Sequence, residues 1–345
     1  MPSSLGKSLC AFAALLFFAA SGQADPLAEL KNVSSLGPLD LARLKSGEIV
    51  VHRGTASTFS RGISIQSCYF INAAAPVVGE RLLHWDPAKH PKMETRLYRE
   101  YVLPPSREIF QPLQLNPAKP NDRWLLDRLL QIADGASPSD LHLTADDVAF
   151  VRKQIPAKSS APNDRYARAN DVWQQLLFAR SNSLARGGIS AVAPYGSDTS
   201  ISPDSEFRGL LSLNPRVEKY FNAIVRAKPI EANGPPSDEA VGYWETTQIR
   251  GHTTEQVGLF AARKSPGAWQ MVDCVYYPTD TYFMALNLFQ LWPVDGGTLV
   301  WQIGFVSAPF RSYLGGLDRY IAGKQMTEET IDTIKTFRAD FERAR

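Results

Sequence analysis

The sequence predicts an α+β fold, in which an antiparallel sheet is joined to a long C-terminal helix and interrupted by a large, mostly helical insertion. Three observations carry that reading. Beyond residue 240, strand-like runs at Val241 to Arg250, Gln256 to Arg263, Trp269 to Tyr277, Thr281 to Trp292 and Thr298 to Ser307 follow one another. Short Gly/Pro/Asp turns separate most of them, the pattern of an antiparallel meander and not of βαβ units. Between about 105 and 238, prolines recur among helix-like pieces. After Ser307 and Pro309 comes a tail with helical spacing of apolar residues: Phe310, Tyr313, Leu314, Leu317, Tyr320 and Ile321, continued by Ile331, Ile334, Phe337 and Phe341.

The elements follow in order. Residues 26–46 are helical in part, with Leu27, Leu30, Leu39, Leu41 and Leu44 as apolar positions. Glu48 to Thr55 and Gly62 to Asn72 are strand-like, and the second alternates Ile63, Ile65, Ser67, Tyr69 and Ile71 against Ser64, Gln66, Cys68 and Phe70. Pro76 opens a short helix from its first turn, where a missing N–H costs nothing. Arg96 to Leu103 is a further strand, ended by Pro104 and Pro105. In the insertion, Thr144 with Asp147 forms a capping box, and Ser202-Pro203 and Asn214-Pro215 each set an N-cap side chain before a proline at the first helical position. The run from Thr281 to Trp292 is apolar on both sides, with Tyr282, Met284, Leu286 and Leu288 on one and Phe283, Ala285, Phe289 and Leu291 on the other. Such a strand is covered on both faces. The C-terminal helix is therefore expected on one face, and the insertion on the other or across the mouth.

Composition bounds the function. The 345 residues are 44% hydrophobic and 21% charged, and 37 Lys plus Arg nearly balance 35 Asp plus Glu. That excludes disorder, and it excludes a nucleic-acid partner held by bulk charge. Residues 1–24 read as a secretory signal peptide: Lys7 supplies the basic start, Cys10 to Ala20 the apolar stretch, and small residues lead to a cut after Ala24. The apolar stretch is too short to span a bilayer, so no transmembrane segment is expected after cleavage, and the address is periplasmic or secreted. The mature chain then keeps Cys68 and Cys274, which form either one disulfide or two separate buried thiols. A single unit from 25 to 345 is expected, interrupted at about 105–238.

Three segments resemble the helix-grip fold of START-like (SRPBCC) lipid-transfer and polyketide-cyclase-like proteins. Ser64 to Leu82 is similar to the first strand and the helix after it, His84 to Pro91 to the lead into the second strand, and Gly296 to Ser307 with its amphipathic tail to the last strand and gripping helix. The likeness covers about 62–103 and 240–345, and the insertion has no counterpart in that pattern. The resemblance implies a curved antiparallel sheet gripping the C-terminal helix, with a cavity between them. Cys68, Phe70, Met284, Trp301, Phe305, Tyr313 and Tyr320 are the expected lining, each weighed against plain core packing.

Catalytic signals are sparse. The chain has no Gly-x-Ser-x-Gly elbow, phosphate loop or His-Glu-x-x-His. His84 and His90, with Asp86 between them, fit no usual zinc spacing, and neither a metal nor a cofactor is expected. His252, Glu255 and Asp273 are the polar candidates. Asp273 lies in an apolar strand, where a carboxylate is either exposed, paired with an arginine such as Arg96, Arg250 or Arg263, or functional. The leading functional reading is an exported protein that binds or carries a hydrophobic small molecule or lipid. An exported hydrolase or cyclase-like enzyme using Asp273, His252 or Glu255 is the alternative, and an envelope interaction protein without a ligand is the third.

Overall fold

The computed structural model describes residues 25–54, 59–156, 160–196, 200–265, 267–310 and 317–343. Eight strands form one antiparallel, curved sheet: β1 (Val50–Arg53), β2 (Gly62–Ile71), β3 (Thr95–Tyr101), β4 (Glu239–Ile249), β5 (His252–Ser265), β6 (Ala268–Pro278), β7 (Met284–Val294) and β8 (Gly297–Ser307). Their order is β1-β2-β8-β7-β6-β5-β4-β3. The chain leaves β2 through α3 (Ala75–Leu83), crosses to the far edge to make β3, and passes through the insertion. It then returns strand by strand until β8 lies against β2, with Gly62 opposite Ser307 and Ile71 opposite Thr298. The long C-terminal helix α10 (Leu317–Arg343) follows. The α+β class, the meander and the terminal helix are all as expected.

Side-chain alternation divides the sheet into two faces with separate cores. Cys68, Leu259, Val272, Cys274, Leu288, Trp301, Ile303 and Phe305 point to one face and join Leu125, Leu129, Trp173, Leu177, Leu210 and Phe221. Those partners come from α4 (Pro120–Ala133), α6 (Pro162–Gly187), α7 (Pro203–Ser212) and the junction between α8 (Pro215–Tyr220) and α9 (Asn222–Val225). On the other face Tyr69, Ile71, Phe260, Met271, Phe289, Leu291 and Val300 pack with Val78, Leu82 and Leu83 of α3 and with Ile334, Phe337 and Phe341 of α10. The insertion is therefore a full second layer, because strands apolar on both faces need two covers.

The insertion's local signals act as the sequence implies. The Thr144 hydroxyl accepts from Asp147 N while the Asp147 carboxylate accepts from Thr144 N, starting α5 (Ala145–Gln154). Ser202 and Asn214 cap α7 and α8. Several polar contacts join this layer to the sheet, among them Tyr101 OH to Ser181 Oγ and Tyr277 OH to His142 O, both at 2.8 Å, and a partly buried ion pair at its edge. A β-bulge between Thr95 and Leu97 turns Arg96 toward the insertion. There Arg96 Nη1 donates to both oxygens of Asp122, at 2.6 and 2.7 Å, and Thr253 Oγ1 and Asn116 N donate to the same carboxylate.

Cys68 and Cys274 are two separate buried thiols. They sit on β2 and β6, three strand spacings of roughly 4.8 Å apart, beyond the reach of a disulfide. Burial pushes the Cys68 thiol up to about 12, only partly offset by a backbone hydrogen bond, and likewise raises Cys274 well above its ordinary value.

Two outcomes are expected. Both thiols stay unmodified by iodoacetamide in the native protein and react on unfolding, as read by peptide mass mapping. Asp122→Ala, which strands Arg96 and Thr253 without their acceptor, lowers the unfolding free energy in urea by roughly 3 kcal/mol. Burial alone would raise the Asp122 pKa, but the bonds from Arg96, Asn116 and Thr253 and the Arg96 charge outweigh it and hold it below the usual carboxylate range. Its contribution is thus in place at neutral pH and is lost as the pH falls through the lowered pKa, so the wild-type and variant curves converge in acid.

Candidate functional site

The face that meets α10 is apolar at one end and polar in the middle. Alternation puts Tyr98 of β3, Tyr243 and Glu245 of β4, Gln256 of β5, Asp273 of β6 and Asn287 of β7 on this face, between strands whose other faces are solid core. Tyr98 stands opposite Glu245, and Glu245 opposite Gln256, so the polar side chains form a contiguous patch. Gly258 lies next to Tyr243 in the register, and a Cβ there would strike the Tyr243 ring at 2.1 Å. The glycine makes room for the phenol to lie across β5 toward Asp273.

The covering helix does not seal this patch. α10 packs chiefly along β1 and β2, and its later turns are tied to the segment before β3, where Trp85 Nε1 donates to Asp340 at 2.9 Å and His90 Nε2 stands 3.2 Å from the same carboxylate. Its Met326 methyl comes over Gly304. Glu245, Asp273, Asn287 and Gln302 keep partial exposure at mid-strand, as do Ala285 and Val306 near the strand ends, while their neighbours in sequence on the opposite face are buried. This partial access means that α10 leaves the stretch of sheet beside its first half incompletely covered, and we call that gap in the cover the hollow.

Its chemistry is that of carboxyl groups without a cation. Tyr243 OH donates to Asp273 at 2.6 Å, and Asn287 Nδ2 donates to its other oxygen at 3.1 Å. Glu245 receives only a long contact from Thr95 Oγ1, at 3.4 Å, which leaves most of its acceptor capacity open. Tyr98 OH donates to Glu100, and Tyr282 OH to Gln256. Among the described residues no Lys, Arg or His forms an ion pair with Asp273 or Glu245. Burial, reinforced by the Asp273 charge, pushes Glu245 up to about 8 against a small opposing effect of Thr95. Burial likewise raises Asp273, although Tyr243 and Asn287 favour its ionised form. At neutral pH the site therefore offers a protonated carboxyl beside one already held by a phenol and an amide, an arrangement suited to donating to, or exchanging a proton with, a bound molecule.

The sequence-derived residues are distributed differently. Cys68, Phe70, Met284, Trp301 and Phe305 lie on the opposite face, in the core against the insertion, because strand parity turns them away from α10. Tyr313 lies outside the described residues. Tyr320 is exposed on α10, with Arg53 stacked over its ring at 4.8 Å. Of the polar candidates only Asp273 faces the hollow, and its partners are a phenol and an amide rather than an arginine. His252 pairs with Asp280 and stacks on Trp124 at 4.0 Å. Glu255 is buried on the insertion face, where Thr246 Oγ1 donates to it at 2.8 Å, and burial pushes it up to about 8. The three do not form one site. Glu245, Tyr243, Tyr98 and Asn287 went unpredicted, although a carboxylate or amide at the centre of otherwise apolar strands was a readable signal.

Comparison with family models, with curated proteins and with solved structures gives no match. Among the described residues no group of three or more His, Cys, Asp or Glu side chains is placed to hold a metal, and no helix is long and apolar enough to cross a membrane.

A carboxyl whose folded pKa is raised costs stability as the pH climbs from its ordinary value toward the raised one, since the unfolded chain sheds the proton first. Replacing it removes that cost. Glu245→Gln is therefore expected to stabilise the fold more at pH 8 than at pH 5, read as the difference between urea midpoints of variant and parent at the two pH values.

Proposed function

We propose that this protein binds or carries an amphipathic small molecule or lipid between the sheet and α10. Its polar end would meet Asp273 and Glu245, and its apolar part would lie along Ile63, Ile65, Ala285, Val306 and Met326. The observation that carries the reading is the pair of uncompensated carboxyls with partial access at the centre of the covered face. Buried charge of this kind weakens a fold unless something is gained by keeping it. The sequence resemblance to START-like proteins supports the same location, since it implies a ligand between sheet and terminal helix. The signal-peptide pattern of residues 1–24 supports a periplasmic or secreted address for the carrier.

One observation favours a second reading, an exported hydrolase or cyclase-like enzyme. Glu245, with its pKa near 8, can give a proton at neutral pH, while Asp273, oriented by Tyr243 and Asn287, can take one.

Native mass spectrometry of the purified protein, followed by titration with a panel of fatty acids, phospholipids and sterols, tests the proposal. A stoichiometric adduct is expected, with affinity lowered about tenfold in Asp273→Asn, the loss of roughly one good polar contact. A protein that purifies empty and binds no member of the panel overturns it. Chemical turnover of a bound member, abolished in Glu245→Gln, replaces the carrier reading with the enzyme.

A further inference from the structure

A second cavity lies on the opposite face of the sheet, where the insertion stops short of the β5–β6 turn. It has a volume of about 930 Å3 and opens between α1 (Pro26–Val33), the chain around Tyr220 and Ala223, and strands β5 to β7. That size falls within the range of small-molecule sites.

Its floor is a single row across three strands. Arg263 of β5 is the register partner of Gln270 of β6, which is the partner of Gln290 of β7. The neighbouring residues on this face, Leu259, Ala261, Val272, Leu288 and Trp301, are apolar core. Three donor-bearing side chains about 5 Å apart on such a face are out of place unless they meet something. Arg263 gives one hydrogen bond, from Nη1 to Ala223 O at 3.2 Å, and among the described residues it has no carboxylate partner. Its neighbour Lys264 is already paired with Glu80 and Glu239. Gln270 Nε2 donates to Tyr220 O at 3.3 Å and keeps its amide oxygen open, while Gln290 is 2% exposed and its amide N–H makes only a long contact, 3.4 Å, to Leu291 O. Glu29 on the facing wall is held in place by Tyr220 OH and Trp292 Nε1, each of its oxygens keeping acceptor capacity to spare.

We propose that this cavity takes a hydroxylated carboxylic acid of the sugar-acid class. The carboxylate would lie on the Arg263 guanidinium, whose planar fork matches it. The hydroxyl groups would donate to Glu29 and exchange hydrogen bonds with Gln270 and Gln290, while Leu41 and Val294 border the C–H edges of the ring. A neutral sugar leaves Arg263 unmatched. A purely apolar acid offers nothing to the buried Gln290 amide or to the spare acceptor capacity of Glu29 and Gln270, which is costly at such a floor. A multiply charged anion is repelled by Glu29.

The test is isothermal titration of the whole protein with glucuronate, glucose and hexanoate. Saturable glucuronate binding is expected, at least about tenfold tighter than either of the others. Arg263→Gln should remove that preference. Ala223→Trp, at an exposed position on the cavity wall, should abolish binding by filling the cavity while keeping every floor side chain and the Ala223 carbonyl that Arg263 meets. Asp273→Asn, on the other face, should leave glucuronate binding unchanged whatever it does to the hollow under α10. Absence of saturable glucuronate binding overturns the proposal, as does equal binding of hexanoate, or a preference that survives both cavity variants.

Discussion

The central strands β6, β7 and β8 are apolar on both faces, and the rest of the molecule is arranged around the need to keep water from both. A sheet packed on one side only would leave either Leu288, Trp301 and Phe305 or Phe289, Leu291 and Val300 exposed. Each buried side chain of that size is worth about 2 kcal/mol relative to exposure, so neither face can be spared. One cover is local in origin: α3 and α10 flank the strands in sequence, share one core and meet where Arg81 donates to Asp340 O at 2.8 Å. The other requires the long insertion between β3 and β4. Its helices reach the sheet through Trp173, Leu177 and Phe221, and its edge is pinned by Arg96 and Asp122.

Against this demand for apolar cover, the polar patch under α10 is the exception. Tyr243, Glu245, Asp273 and Asn287 occupy positions where Leu or Val would add to the second core. Their mutual hydrogen bonds satisfy Asp273, but Glu245 is left short of partners, and among the described residues no cation pairs with either group. The patch lies where the covering is thinnest, since α10 leans on β1 and β2 and not on the middle strands. The row Arg263–Gln270–Gln290 is the corresponding exception on the other face, again at the limit of the covering layer. Both exceptions occur where a covering helix ends or turns aside, which is where an apolar sheet can admit polar groups and solvent.

Much of the secondary structure was legible because its causes are local. Turn residues delimit the meander, alternation identifies the strands, and Thr144, Ser202 and Asn214 mark helix starts by accepting from backbone N–H groups three residues on. The site was legible only in part. Asp273 stood out as a carboxylate in an apolar strand. Its partners did not, because Tyr243 and Asn287 lie 30 and 14 residues away and meet it only through strand pairing. The residues expected to line a ligand cavity, Cys68, Phe70, Met284, Trp301 and Phe305, are packed in the core against the insertion. Their parity was known, but not which parity faced α10.

By itself, then, the sequence determined the class of fold, the run of strands and helices and the two-sided burial of the central strands, because alternation, capping and turn chemistry act over a few residues. Only the tertiary structure decided which face belongs to which cover, that Cys68 and Cys274 stand apart, and that Asp273 meets Tyr243 and Asn287 while Glu255 and His252 lie elsewhere. Those outcomes depend on strand order and on the path of α10, and no local pattern encodes contacts between residues so far apart along the chain.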